Sequence, residues 1–205
     1  IPIVKGWCTE QCVEVASIGV QIHGGMGFIE ETGAAQYLRD ARITTIYEGT
    51  TGIQAADLVG RQVGYEKGVT AFCVIDEMHE LQTELAAAES DVAEISRNNF
   101  QQAVEGLAIA TQWVVDTFPK DPNAVAAVSV PFLKLLGIVT GGWLMARAAL
   151  IANSKLTGGG DVNFYQAKMI TARFYAEHIL PQSAGLVSAV TSGSSSVLAL
   201  TEAQF

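Results

Sequence analysis

The opening segment of the chain, from Pro2 to Ile22, carries its small and apolar residues at intervals of three and four. The residues that define this pattern are Val4, Trp7, Cys8, Cys12, Val15, Ala16 and Gly19. An α-helix places such positions on one side, so the spacing predicts a helix with a packed face. His23, Gly24 and Gly25 come next, and glycine suits the left-handed backbone that commonly ends a helix.

Two more short helices are predicted in the next forty residues or so. The first runs from about residue 33 to residue 42, with Thr32 as its N-cap. The β-branched residues between Ile43 and Tyr47 favour an extended segment. Either Thr50 or Thr51 then caps another helix, which leads into a glycine-containing junction. Gly60, Gly64 and Gly68 make that junction the candidate boundary between a first unit, 1–63, and a tail, 64–205.

The tail shows long apolar-periodic segments that are separated by turn residues. Asp91 and Asp161 are predicted helix N-caps, Pro119 to Pro122 forms a helix-breaking turn, Gly158 to Gly160 forms a loop, and Pro181 kinks or divides the last long segment. No strand pattern is evident, so the fold class predicted is all-α, an up-down helical bundle. Helical spacing places the tail aromatics in its core: Phe100, Trp113, Phe132, Trp143, Phe164, Tyr165, Phe174 and Tyr175.

Charge and hydropathy exclude two classes of partner. The 205 residues include 12 Lys and Arg against 21 Asp and Glu, a net charge of −9, and a phosphate backbone would be repelled. We therefore expect no nucleic acid. The most apolar region, from Ala124 to Ala152, is interrupted by Pro131, Lys134 and Arg147, whereas a membrane span needs about 20 apolar residues in a row. We expect this region to be a buried bundle helix and expect no membrane.

Three cysteines, Cys8, Cys12 and Cys73, are too few and too unevenly placed for a disulfide framework or a zinc ribbon. We expect reduced thiols in a cytoplasmic protein, with Cys8 and Cys12 packed in a core and not bound to metal. The histidines match no metal-binding spacing, so no metal is assigned. Ile1 is not a start residue and no secretory signal follows it, so the chain is expected to have been cut from a longer one.

The candidate chemistry is concentrated in the stretch from Gln21 to Gln54. It contains two glycine-dense turns, and Glu48 stands beside the second of them. A glycine turn allows backbone N–H groups to approach a ligand, and a carboxylate beside it can remove a proton. Taken alone, a glutamate next to a turn is typical of a solvated surface. Arg39 and Asp40 could be a catalytic couple or a structural ion pair. We favour structural roles with separate partners, because adjacent residues on a helix point in different directions.

Three motifs in this stretch give it a family resemblance. They are QIHGGMGF from Gln21, RDARI from Arg39, and IYEGT from Ile46 with Ile53 and Gln54. In this order and spacing they resemble the C-terminal part of the acyl-CoA dehydrogenases. Residues 1–63 resemble the last helices of that family's C-terminal domain. Residues 64–205 resemble the extra helical domain of its long branch, which is similar to 3-methylmercaptopropionyl-CoA dehydrogenase.

The resemblance implies an FAD-dependent oxidoreductase that desaturates an acyl-CoA thioester between its α and β carbons. By resemblance, Glu48 is the base that removes the α-proton, and Gly49 lets the thioester pass. Thr50 and Gly52 are expected near the flavin or its adenine part. Gln21, Gly24 and Gly25 are expected to touch the ADP part of an FAD that is held mainly by a neighbouring subunit.

The resemblance also implies partners and an alternative role. Electron-transfer flavoprotein is the expected electron acceptor, and a homodimer is the expected assembly. The family's N-terminal helices and middle β-domain do not occur in this sequence, so the isolated chain is expected to be inactive and to bind FAD weakly or not at all. The alternative is a structural module, in which the tail covers a surface that tetrameric relatives bury between dimers.

Overall fold

The computed structural model describes residues 1–88 and 91–204, with no description of the side chains of residues 91–97. Every regular element in the described residues is helical, and none of these residues is in a strand. The all-α prediction is therefore confirmed.

The first unit is an arrangement of short helices. A π-helical segment, Ile3–Cys8, leads directly into α1 (Thr9–Ile22), which is followed by the single turn α2 (Gly25–Phe28). The second and third long elements are α3 (Ala34–Thr44) and α4 (Thr51–Asp57), and the latter continues as a π-helical segment, Leu58–Tyr65. The predicted opening helix and its end at His23 are confirmed, but its predicted packed face is not, because no residue of α1 is buried.

The tail supplies the longer helices. They are α5 (Val69–Ala87), α6 (Asp91–Thr117), α7 (Pro122–Ala127), α8 (Ser129–Thr157) and α9 (Val162–Phe174). After α9 come π and 3-10 turns over Tyr175–Ile179 and Leu180–Gln182, and then α10 (Ser183–Ser192) and α11 (Ser194–Val197). Pro181 lies in the 3-10 turn, so it divides the last long segment as predicted.

Among the described helices, side-chain caps begin α4, α7 and α9. The Thr50 hydroxyl accepts from the N–H of Ile53 at 3.3 Å, and the Asp161 carboxylate accepts from the N–H of Phe164 at 3.1 Å. Thr50, and not Thr51, is therefore the cap of α4, and the predicted cap of α9 is confirmed. The predicted cap at Asp91 lies outside the described side chains.

Two predictions about α3 are wrong. Thr32 does not cap it, because its hydroxyl donates to the carbonyl of Met26 at 2.5 Å and Gly33 takes the N-cap position. The segment Ile43 to Tyr47 is not extended: α3 continues through Thr44, and the N–H groups of Ile46 and Tyr47 both bond to the carbonyl of Ile43. Packing of α3 against α1 outweighs the β propensity of this short run.

Helix α8 is the centre of the tail, where it packs against α6, α9 and α10. By length and composition alone, α8 could cross a membrane, since its most apolar 18 residues have a mean hydropathy of 1.7. Half of those residues are buried inside the protein. Phe132 is fully buried and meets a single core that also contains Val59 and Val63 of the first unit. The expected bundle helix is what the structure shows.

Several residues predicted to be in a core are instead exposed. Phe164 and Phe174 are 53% and 55% exposed on α9, whereas Phe100 and Phe132 are fully buried. Helical spacing predicted the helix, but it could not separate the covered face of α9 from the uncovered one. Cys8 and Cys12 are likewise exposed and free, so the prediction that they pack in a core is wrong.

Candidate functional site

The turn that carries Glu48 has an unusual backbone. Glu48 has φ 53° and Gly49 has φ 92°, so two successive residues lie in the left-handed region. Glycine adopts this conformation freely, but glutamate does so at a cost, and such residues persist only where the surroundings hold them. The turn is closed by the N–H of Thr51, which donates to the carbonyl of Thr45 at 3.2 Å.

Side chains from two other elements hold this turn. The ammonium of Lys5 donates to the carbonyl of Thr44 at 2.6 Å and to the carbonyl of Gly49 at 3.1 Å. The amide of Gln54 donates to the carbonyl of Glu48 at 3.4 Å. A Cβ at position 49 would lie 2.8 Å from that amide nitrogen and displace it, and the φ of 92° itself favours glycine there.

Lys5 was missed by sequence reasoning. The only signal available was a lone cation in the apolar opening IPIVKGWC, and nothing in that segment indicates a partner about 40 residues away. Helix α1, which continues directly from the segment that carries Lys5, contributes Glu10, whose carboxylate accepts from the Thr51 hydroxyl at 2.5 Å. The start of the first helix therefore supports the turn from one side.

Glu48 itself projects an exposed carboxylate. Its side chain forms no hydrogen bond or ion pair with any residue that the structure describes. The backbone N–H groups of Glu48, Gly49 and Thr50 also lack an acceptor among the described residues. A proton acceptor and donors suited to a negatively charged oxygen thus stand side by side.

The other glycine turn follows the end of α1. Gly24 has φ 61° and ψ −144°, a conformation open almost only to glycine, and its N–H donates to the carbonyl of Gln21 at 3.0 Å. Gln21, Gly24 and Gly25 are exposed, and a Cβ at Gly25 would meet nothing within 4 Å. The N–H groups of Gly25 and Met26 bond to no carbonyl in the described part of the chain.

The structure separates the two turns. Lys5 ties the Glu48 turn to the start of the first helix, whereas Gly24 follows its end. The 14 residues of α1 alone span about 21 Å at ~1.5 Å per residue. Residues Glu48, Gly49, Thr50 and Gly52 therefore cluster together, and Gln21, Gly24 and Gly25 form a second group at the far end.

An open groove of about 580 Å³ lies between α1 and α3, on the surface that connects the two turns. Its walls are mainly small and apolar, and four lining residues are polar: His23, Thr32, Asp40 and Thr44. The apolar part includes Cys12, Val15, Ala16, Gly19, Tyr37 and Ala41. Such a lining suits an elongated apolar or aromatic surface better than a metal ion. Among the described residues, no group of His, Cys, Asp or Glu could hold a metal.

Arg39 and Asp40 do not pair with each other, but the prediction that each has a separate partner is wrong, because both bond to the side chain of Gln36. The guanidinium of Arg39 lies 3.5 Å from the Glu30 carboxylate and also donates to the side chain of Gln36. Asp40 accepts from the Gln36 amide at 2.7 Å. Both side chains lie on the exposed surface of α3, which is consistent with the structural role that the sequence favours.

Two family models match the chain. One, described as "Acyl-CoA dehydrogenase, C-terminal domain", matches residues 1–63, and the other, described as "Acetyl-CoA dehydrogenase C-terminal like", matches residues 71–201. They fall on either side of the glycine-containing junction. The match to 71–201 alone covers more than half of the chain.

Similar proteins include two curated dehydrogenases. 3-Methylmercaptopropionyl-CoA dehydrogenase of Ruegeria pomeroyi is 45% identical over 97% of this chain and 34% of its own length. The broad-specificity linear acyl-CoA dehydrogenase FadE5 of Mycobacterium tuberculosis is 32% identical over the whole chain and 35% of its own length. The chain thus spans about a third of the length of these curated relatives.

A solved structure shares the fold. The acyl-CoA dehydrogenase of Bacillus anthracis, crystallised with FAD, superposes with a TM-score of 0.64 at 18% identity, over 99% of this chain and 34% of that one. The resemblance seen in the sequence motifs is confirmed, including the similarity to 3-methylmercaptopropionyl-CoA dehydrogenase. By its two matched family models and its relatives, this chain belongs to the acyl-CoA dehydrogenase family.

Proposed function

We propose that this chain is the C-terminal part of an FAD-dependent acyl-CoA dehydrogenase in which Glu48 removes the α-proton of an acyl-CoA. The observation that carries the proposal is the turn at Glu48. Its backbone lies in the left-handed region, Lys5 and Gln54 hold it, and its carboxylate stands unpaired beside N–H groups that lack acceptors in the described residues.

The residues of this chain can account for Glu48's side of the chemistry. An α C–H next to a thioester is a weak acid, so its removal needs both a base and stabilisation of the charge that develops on the thioester oxygen. The carboxylate of Glu48 accepts the proton, and the backbone N–H of Glu48 donates to the oxygen. Gly49, with no side chain, lets the thioester approach this N–H.

The chain fits part of an FAD. The turn at Gly24 offers N–H groups without acceptors among the described residues, and a Cβ at Gly25 would meet nothing within 4 Å. Near the second turn, Thr50 and Gly52 are exposed and would approach the flavin or its adenine part. When bound, FAD supplies the acceptor for the hydride that leaves the β carbon. Gln21, Gly24 and Gly25 would hold its ADP part on a neighbouring subunit.

The chain alone is expected to be inactive and to bind FAD weakly or not at all. The first unit exposes large apolar side chains that a larger protein would cover, among them Val15, Ile22, Phe28 and Tyr37 at 67% to 81% exposure. Titration of the purified chain with FAD tests this directly. Little or no bound flavin is expected after gel filtration, and a stoichiometric yellow complex would contradict the expectation.

The role of Glu48 is tested in the parent polypeptide by Glu48→Gln, mixed anaerobically with candidate acyl-CoA substrates while flavin absorbance is followed. Glutamine keeps the size of the side chain but cannot take up the proton, so bleaching should be lost. Glu80→Gln is the matched control, because Glu80 is an exposed carboxylate on α5. Bleaching retained in Glu48→Gln would remove Glu48 from this role.

Three further attributes of the parent enzyme belong to the same proposal. Electron-transfer flavoprotein is the electron acceptor that the family resemblance implies, and a homodimer is the assembly. A reducing, cytoplasmic location is supported by the exposed and free thiols of Cys8, Cys12 and Cys73.

We propose a second, structural role for residues 64–205, with 1–63 as the enzyme-derived unit. Helix α8 packs on the π-helical segment Ile3–Cys8 so closely that a Cβ at Gly6 would lie 2.6 Å from the side chain of Leu133. The tail therefore already covers one side of that segment, as a module that limits assembly to a dimer would do. Deleting 64–205 from the parent should raise the oligomer mass in sedimentation, and unchanged assembly would count against the role.

A further inference from the structure

The π-helical segment Ile3–Cys8 carries Lys5 at the point where the first helix meets the Glu48 turn. We infer that Lys5 is a positioning residue. By bonding to backbone carbonyls on either side of Glu48, its ammonium keeps the Glu48 carboxylate and the neighbouring N–H groups in their working arrangement. This inference deepens the function proposed above and rests on it for its kinetic part. Its structural part stands on the hydrogen bonds alone.

Lys5 bridges the two ends of the segment that contains Glu48. One acceptor, the carbonyl of Thr44, is at the end of α3, where the last carbonyls of a helix have no partner within it and a cation is favoured. The other, the carbonyl of Gly49, directly follows Glu48. A single charged group therefore fixes both ends of the six-residue segment 44–49 through charge-assisted hydrogen bonds.

The ammonium has no competing partner among the described residues. It forms no ion pair there, and its remaining contact is with the face of the Tyr47 ring, 5.7 Å from the ring centre. Tyr47 precedes Glu48, so this contact restrains the same loop from a third side. The compact ammonium, with three rotatable donors on a flexible stem, can reach two separate carbonyl oxygens, whereas a planar guanidinium has its donors in a fixed fork.

The restraint that Lys5 places on the loop matters because the backbone of the loop is strained. Glu48 at φ 53° is a left-handed non-glycine residue, and such a conformation relaxes when its restraints are removed. Relaxation would turn the carboxylate and its N–H away from their common target. A misplacement of ~1 Å can slow a reaction by about 100-fold without weakening substrate binding in proportion.

The first measurement uses the 205-residue chain itself. Hydrogen exchange should be followed at the Thr51 N–H, which closes the loop on Thr45 at 3.2 Å, in wild type, Lys5→Met, Lys5→Arg and Lys155→Met. Lys155 is an exposed lysine near the end of α8 and serves as the matched control. Lys5→Met should speed this exchange by about tenfold or more and leave the α8 amides unchanged, because only a local opening is affected. Lys5→Arg should recover part of the protection.

The second measurement uses the parent enzyme. Lys5→Met should lower kcat by about 10- to 100-fold with little change in KM or in FAD content, whereas Lys155→Met should match wild type. Exchange at Thr51 equal to wild type in Lys5→Met would overturn the inference, and so would a kcat no lower than that of Lys155→Met. Flavin bleaching retained in Glu48→Gln would instead overturn the proposed function, while the exchange result would still report on the loop.

Discussion

The contact between Trp7 and Gly137 gives the sharpest stability test of how the first unit joins the tail. The indole of Trp7 lies on the backbone of α8, and a Cβ added at Gly137 would be 2.4 Å from two of its ring carbons. Ring atoms of a packed indole cannot bend aside as the end of a flexible chain can. Gly137→Ala must therefore push the first helix and α8 apart.

The size of the effect follows from two opposing contributions. Alanine is favoured over glycine in a helix interior by about 0.8–1.0 kcal/mol. Overpacking a close contact costs about 1–3 kcal/mol, and a distance as short as this one favours the upper end. Gly19→Ala carries only the first contribution, because Gly19 is also inside a helix and its added Cβ would meet nothing within 4 Å. The difference between the two variants therefore isolates the packing cost.

The assay is urea unfolding of the 205-residue chain, followed by circular dichroism. We expect Gly137→Ala to be roughly 2–3 kcal/mol less stable than Gly19→Ala, which is the packing cost with the helix preference cancelled. The slopes of the transitions should agree, so that midpoints can be compared. Equal stability of the two variants would refute the reasoning and mean that the first helix does not rest on α8 as described.

Three further predictions concern the tail. Phe132→Ala should lower the free energy of unfolding by about 3–5 kcal/mol in the same urea assay, because it empties a fully buried site. Asp161→Ala should lower it by about 1 kcal/mol through loss of the α9 cap, whereas Asp161→Asn should be nearly neutral. Burial raises the pKa of Tyr175 above its ordinary value of 10.0, so its neutral form is favoured in the folded state. Stability due to this group is complete below pH 10 and lost as pH rises further; Tyr175→Phe should therefore flatten the loss measured between pH 9 and 11.

What the sequence could predict was local. Thr50 and Asp161 were recognisable as caps because a cap acts on an N–H only three residues away. Pro181 was recognisable as a divider because proline restricts its own backbone and that of its neighbour. The helical class followed from periodicity, and the motifs around Glu48 were sufficient for the family.

What the sequence could not predict depended on contacts between distant residues. The run from Ile43 to Tyr47 has β-forming residues, yet packing on α1 and the Lys5 bond to Thr44 keep its beginning helical. Periodicity also could not show that the glycine turns lie at opposite ends of α1. Nor could it show which faces are left uncovered, as at Phe164, because that depends on what packs above them.

The most direct test of the central claim is to follow deuterium entering the α carbon of an acyl-CoA. The parent enzyme is incubated anaerobically in D₂O with substrate, and the recovered acyl-CoA is examined by mass spectrometry. Reversible removal of the α-proton by Glu48 predicts α-deuteration with wild type and with Glu80→Gln, and none with Glu48→Gln. Deuteration by Glu48→Gln at the wild-type rate would show that another group removes the proton.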